Sequence, residues 1–207
     1  LYSSLNDANY HEIAYSLTRQ FGPGGLYQDI TLYNFVDNHD VSRIASQLNN
    51  PIHLYPLHIL LFTMPGTPST YYGSEWGLRG EKTSHSDAVL RPALDLSQIA
   101  GHPPERDLGK AIMHLAELRK RSEALRCGTY RQMAVHHRQM AFLRESQEER
   151  LLVVLNSAPD SAELEIDLPW EKGTAEDLLE LGYLACIENG KLAVSVPSAW
   201  GRILRLG

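Results

Sequence analysis

The sequence predicts an α/β layer over residues 1–126 and an all-β antiparallel sandwich over residues 127–207. Three observations carry this. Leu32, Tyr33, Phe35 and Val36 form a short, nearly continuous apolar run, and Asp37, Asn38, His39 and Asp40 follow at once. A strand buried on both faces of a parallel sheet reads this way, with polar groups delivered at its carboxyl end, where α/β folds bind ligands. On both sides of the run, apolar residues recur at helical spacing. From Cys127 onward the period changes to alternation, as in Ala162, Leu164, Ile166 and Leu168 set against Glu163, Glu165 and Asp167, the pattern of strands with one solvent face.

In chain order, Asn6 or Asp7 is placed to cap a helix with apolar positions Tyr10, Ile13, Ala14, Leu17 and Phe21, and Gly22-Pro23-Gly24-Gly25 stops it. The strand Thr31 to Val36 comes next. A polar loop through Ser42 to Asn50 leads to a helical segment around Ile52 to Met64, with Pro51 or Pro56 near its start, where a missing N–H costs little. Asp107 caps a helix running to about Arg126, with Leu108, Ala111, Ile112, Leu115 and Leu118 on one face. Its basic tail, Arg119-Lys120-Arg121, suits the negative end of that helix's dipole. In the β half, Met140 and Phe142, then Leu151 to Leu155, read as strands with one solvent face. Asn189-Gly190, between Tyr183 to Ile187 and Leu192 to Val196, is a two-residue hairpin signal.

Composition narrows the function classes. The chain is 43% hydrophobic and 21% charged with a net charge of −6, and this acidity argues against an electrostatic grip on nucleic acid or an anionic membrane. No apolar run approaches the roughly 20 residues of a membrane span. The opening LYSSLNDANY has no basic segment followed by an apolar one. Cys127 and Cys186 are too few for a disulfide framework and lack metal-ligand spacing; buried free thiols are expected. His136-His137, in an expected turn, lacks further ligand partners and reads as a solvated pair.

Read as residues alone, Asn38-His39-Asp40 is either a ligand site at a strand end or a solvated turn capping the next helix. Tyr71 and Tyr72 either offer ring faces for stacking on a ligand or belong to the core. Asp87 and Arg91, four apart, share one face of a helical turn, where they form a surface ion pair or share a ligand's hydroxyls. A resemblance favours the ligand-site reading each time. Phe35-Val36-Asp37-Asn38-His39-Asp40 resembles the fourth conserved segment of the α-amylase family, the (β/α)8-barrel hydrolases of glycoside hydrolase family 13, which ends the seventh barrel strand. Gly66, Pro68, Gly73 and Glu75 match that family's Gly-x-Pro, four residues, Gly-x-Glu pattern at the eighth strand, although Ser74 stands where the family often has Asp. The resemblance implies that Asp40 stabilises the transition state, that His39 hydrogen-bonds the sugar, and that Asp87 and Arg91 line subsites on the non-reducing side, with Tyr72 a further substrate contact. It leaves Asp37 at a variable position.

Retaining glycoside hydrolysis needs a carboxylate nucleophile and a second carboxyl group about 5 to 5.5 Å away. The family's nucleophile motif, Gly-x-Arg-x-Asp, does not occur in this sequence. The resemblance therefore implies the end of a (β/α)8 barrel, residues 1–126, plus the family's C-terminal β-domain, residues 127–207, as the C-terminal piece of a longer enzyme acting on α-glucans or oligosaccharides. The piece is expected to be inactive alone and, with open strand edges, to self-associate. No cofactor is expected within it; the resemblance places the family's calcium ligands mostly in other segments, so calcium is an expectation for the full-length enzyme. Three functions follow: an α-glucan hydrolase, a transglycosylase or isomerase of the same family, or a non-catalytic carbohydrate-binding relative.

Overall fold

The computed structural model describes residues 1–95, 97 and 107–207. Its first half is helical, with two short parallel strands. Helix α1 (Tyr2–Asn6) leads into α2 (Tyr10–Phe21). The cap of α2 is neither Asn6 nor Asp7 but Asn9, whose side chain accepts from the His11 N–H at 3.2 Å. Asn6 instead reaches across the chain, donating to Gln47 O at 2.7 Å and accepting from Asn49 N at 2.9 Å. Strand β1 (Tyr33–Phe35) pairs in parallel with β2 (Thr67–Ser69), Tyr33 opposite Thr67 and Phe35 opposite Ser69. Helices α3 (Ile44–Gln47) and α4 (Leu54–Thr63) make the crossover between them.

The expectation that β1 is buried on both faces does not hold. Tyr33 is 67% and Phe35 44% exposed, because among the described residues β1 has only β2 beside it and no layer covers that face. All ten residues of α4 are buried. A helix that is apolar all round has to be enclosed, and α4 is, lying between α5 (Leu108–Arg121) and the large sheet. The Asp107 cap is as expected, its carboxylate accepting from Lys110 N at 3.0 Å. The helix does not run on to Arg126. Ser122 interrupts it and caps the short α6 (Glu123–Cys127), accepting from Leu125 N at 3.0 Å.

Strands β3 (Thr129–Val135), β4 (Gln139–Glu145), β5 (Arg150–Asn156), β6 (Ala162–Asp167), β7 (Lys172–Asp177), β8 (Leu184–Glu188), β9 (Lys191–Val196) and β10 (Trp200–Leu206) form one antiparallel sheet in the order β3-β4-β5-β10-β7-β8-β9-β6. The sheet rolls until β3 and β6 approach each other, so its two halves face one another as the layers of a sandwich. Asn189 and Gly190, at φ +52° and +75°, turn the β8–β9 hairpin as their sequence predicts.

Strands β4 and β5 depart from the one-solvent-face expectation. Met140, Phe142, Leu151, Val153 and Leu155 pack into a core shared with α2, α4 and α5, while Ala141, Leu152 and Val154 fill the inside of the rolled sheet. Two cores claim the two faces of the same strands. That second core also holds Asp177, which is fully buried and accepts from Arg202 at 2.7 Å, Leu179 N at 2.9 Å and Ile203 N at 3.2 Å. Arg202 donates further to Glu180 at 2.7 Å and lies 3.6 Å over the Tyr183 ring.

Two other buried guanidinium groups receive the carbonyls where α4 ends. Arg119, on α5, turns inward rather than serving its own helix. It donates to Phe62 O at 2.8 Å, Met64 O at 3.2 Å and Gly66 O. Arg144, on β4, donates to Thr63 O, Gly128 O (2.9 Å) and Thr129 O (3.1 Å). Among the described residues neither forms an ion pair. Burial holds the Arg144 pKa down to about 9, helped by the charge of Arg119, and holds Arg119 down to about 10, helped by Arg126.

Gly66, one of the motif glycines, stands at φ +102°, and a Cβ there would lie 2.6 Å from Leu32 O. Gly66→Ala is therefore expected to lower stability by at least ~2 kcal/mol, through a backbone conformation that L side chains resist and a clash with β1. Urea unfolding measures this, and a loss below ~0.5 kcal/mol would contradict it. Both cysteines are free but exposed, against the expectation of burial: Cys127 ends α6 at the surface, and Cys186 falls on an outward position of β8.

Candidate active site

β1 and β2 run in parallel, so the loops after their carboxyl ends emerge on one side. Asp37 is the first charged residue beyond β1, and it turns inward, 1% exposed. It accepts from Ile44 N, at the start of α3, at 2.9 Å, and from the Ser74 hydroxyl, in the loop after β2, at 2.7 Å. Below it lies His58 of α4, fully buried, its Nδ1 2.7 Å from Leu54 O. Burial pushes the His58 pKa down, opposed by that carbonyl and by the charge of Asp37. With Asp37 anchored, Asn38 makes a tight turn, its side chain accepting from Asp40 N at 2.8 Å. His39 and Asp40 are thereby projected outward.

The Asp40 carboxylate is held in an open position, its side chain 57% exposed. One oxygen lies 3.1 Å from His39 Nε2 and the other 3.3 Å from an Arg91 nitrogen. Arg91 also lies 3.7 Å from Asp87 and donates through Nε to His39 O at 3.3 Å. Lys82 adds a bond to Asp40 O at 2.7 Å. On the other flank the Tyr71 ring lies 6.4 Å from the His39 ring and meets Tyr72 edge-on at 4.6 Å. Desolvation beside Tyr72 raises the Tyr71 phenol pKa, against the pull of Arg43 and Arg91. Tyr72 is 39% exposed, its hydroxyl donating to Pro92 O at 3.0 Å.

The structure thus gathers His39, Asp40, Asp87 and Arg91 into one cluster, with Tyr71 rather than Tyr72 beside His39 and Tyr72 one ring further out. Carboxylates and a guanidinium that retain free lone pairs and N–H groups can share the hydroxyls of a polyol, and the tyrosine rings offer apolar faces for stacking. The cluster stands on an open face. A groove of about 790 Å³ between Ile52, Tyr55, Trp76, Leu108 and Pro159 lies elsewhere. Among the described residues no group of three or more His, Cys, Asp or Glu side chains converges to hold a metal ion.

Three members of the site were not singled out by the sequence reading: Asp37, Ser74 and Arg43. The signal for Asp37 and Arg43 was proximity, since both flank the Asn38-His39-Asp40 segment. Ser74 occupies the one position where the eighth-strand pattern departed from the resemblance, and it is there that the hydroxyl meets Asp37.

Comparison with known proteins matches two segments of the chain. Residues 25–113 match the family described as "Alpha amylase, catalytic domain", and residues 130–198 match "Maltogenic Amylase, C-terminal domain". A cyclomaltodextrinase from Bacillus sp. is 29% identical over 153 residues, which cover 72% of this chain and 26% of that protein. A cyclomaltodextrin glucanotransferase from Klebsiella oxytoca is 26% identical over 143 residues, 59% of this chain and 22% of its own length. The chain thus spans about a quarter of the length of these two relatives. Its fold is similar to that of an α-amylase from Geobacillus thermoleovorans complexed with acarbose, with a TM-score of 0.78 at 18% identity over 100% of this chain and 46% of that one.

Proposed function

Because the chain belongs to the α-amylase family, we propose that it serves a retaining glycoside hydrolase acting on α-glucosidic bonds of starch-type glucans or maltooligosaccharides. The observation that carries this reading is the exposed Asp40 carboxylate between His39 and Arg91, at the carboxyl ends of two parallel strands. An oxocarbenium-like transition state develops positive charge at the sugar ring, and a fixed anion beside it interacts most strongly at that moment. Asp40 is that anion. His39 hydrogen-bonds a hydroxyl of the same sugar, while Asp87 and Arg91 take hydroxyls of the next ring and Tyr71 and Tyr72 supply apolar contact. The nucleophile and the acid/base, about 5 to 5.5 Å apart in such enzymes, come from outside this chain.

The complete gene product is expected to hydrolyse starch and maltooligosaccharides, with acarbose as inhibitor and retention of anomeric configuration seen by NMR. The 207-residue chain alone is expected to be inactive, and its uncovered β1 face to drive self-association visible in light scattering. Inversion, or turnover by the pure chain, would overturn the assignment. A transferase reading has support of its own, the matches to glucanotransferases. Incubation with maltotriose separates the two, since transfer yields oligosaccharides longer than the substrate and hydrolysis yields only shorter ones.

A further inference from the structure

The loops that carry His39 and Asp40, Tyr71 and Tyr72, and Asp87 and Arg91 meet on one side chain that touches none of the proposed reacting groups. Arg43 is fully buried. One terminal nitrogen donates to Tyr72 O at 2.8 Å and the other to Leu90 O at 2.8 Å, next to Arg91. Its Cζ stands 4.2 Å from the centroid of Tyr71 and 5.1 Å from that of Tyr72. Its own N–H donates to Gly80 O at 2.8 Å. Gly80 leaves no room for a side chain, since a Cβ would sit 2.7 Å from Val89 O and 3.3 Å from the Cγ of Arg43. Among the described residues Arg43 has no carboxylate partner, and its Nε is left without a hydrogen bond.

Burying a guanidinium against carbonyls and ring faces, with no counter-charge, carries a desolvation cost. What the group provides is geometry. A planar fork spans carbonyls in two different loops while its face lies on an aromatic ring, which a lysine ammonium, a point charge on a flexible stem, does not reproduce.

We infer that Arg43 is a positioning residue that fixes the separation between Asp40 and the wall formed by Tyr71, Tyr72 and Arg91, and so sets how a sugar chain longer than one ring fits the site. The inference rests on the reading of these loops as the substrate site.

Two measurements test it. In the 207-residue chain, Arg43→Met should speed hydrogen exchange of the Leu78, Lys82, Leu90 and Arg91 amides together, all of which are hydrogen-bonded within these loops. A gain of at least about tenfold is expected, with Leu151 to Leu155 exchanging as in the wild type. Equal acceleration in the sheet, or none in the loops, would overturn the inference. In the complete gene product, Arg43→Met should lower kcat/KM for maltotetraose about tenfold more than for a nitrophenyl α-glucoside, with Arg43→Lys in between. The folded fraction cancels in that ratio, so equal losses on both substrates also count against a positioning role. A wild-type gene product active on neither substrate would remove the functional reading, and the exchange pattern would then decide on Arg43 by itself.

Discussion

Asp40→Asn in the complete gene product is expected to lower kcat by at least about 10²- to 10³-fold, and by more where it acts beside other catalytic carboxylates, while leaving Tm nearly unchanged. The amide keeps the shape and loses the charge. Stability is spared because the Asp40 contacts with His39 and Arg91 are exposed, and such pairs are worth ~0–1 kcal/mol. Asp37→Asn should show the reverse. Its carboxylate is buried and accepts from two donors on different segments, so the substitution is expected to cost ~1–3 kcal/mol of stability with a much smaller effect on kcat per folded molecule. If Asp37→Asn abolished turnover while Asp40→Asn left it near normal, the roles given to Asp40 and His39 would have to be withdrawn.

Arg202→Met carries the largest expected stability effect, a loss of ~3–5 kcal/mol, because it leaves Asp177 buried without its counter-charge. Leu179 N and Ile203 N still donate to the carboxylate, but neither brings a positive charge. The double variant Arg202→Met/Asp177→Asn should recover part of the loss. A pH dependence follows. Burial raises the Asp177 pKa even with Arg202 present, against the hydrogen bonds that lower it. In the single variant the folded state therefore binds the proton more tightly than the unfolded chain, whose Asp titrates near ~3.9. The variant's deficit should then shrink as pH falls from neutrality toward that value and be fully present above the folded pKa. Thermal unfolding of both proteins from pH 7 to pH 4.5 checks this; a deficit that stays constant or grows on acidification would show that Asp177 is not the group left exposed to the loss.

What was legible in the sequence was local. The run ending in Asn38-His39-Asp40, the glycines around β2, the Asp107 cap and the Asn189-Gly190 turn each announce themselves within a few residues, because the physics behind them acts over a few residues. What was not legible depends on partners far along the chain. Asp37 finds Ser74 at a separation of 37 residues, and Arg43 finds Tyr72 and Leu90 at 29 and 47. No period or spacing reports such pairs. The same holds for β5, whose run from Leu151 to Leu155 is apolar throughout because a helical layer and the opposite half of its own sheet press on it from two sides. Tyr33 and Phe35 read as core by composition, yet burial depends on which neighbours are present to cover them.

The two guanidinium groups at the end of α4 limit how far this chain can be treated as two interchangeable parts. Arg144 belongs to the sheet, yet its acceptor Thr63 O lies three residues before Gly66, at the entrance to β2. A chimaera that grafts a different β-domain after Cys127 must bring an arginine to the same point. Without one, the carbonyl of Thr63 loses this donor, and the fault is passed to the strand that sets the height of Tyr71 and Tyr72. Recombination between relatives should accordingly succeed where the donor domain carries that arginine and fail where it does not, however well the two surfaces otherwise match.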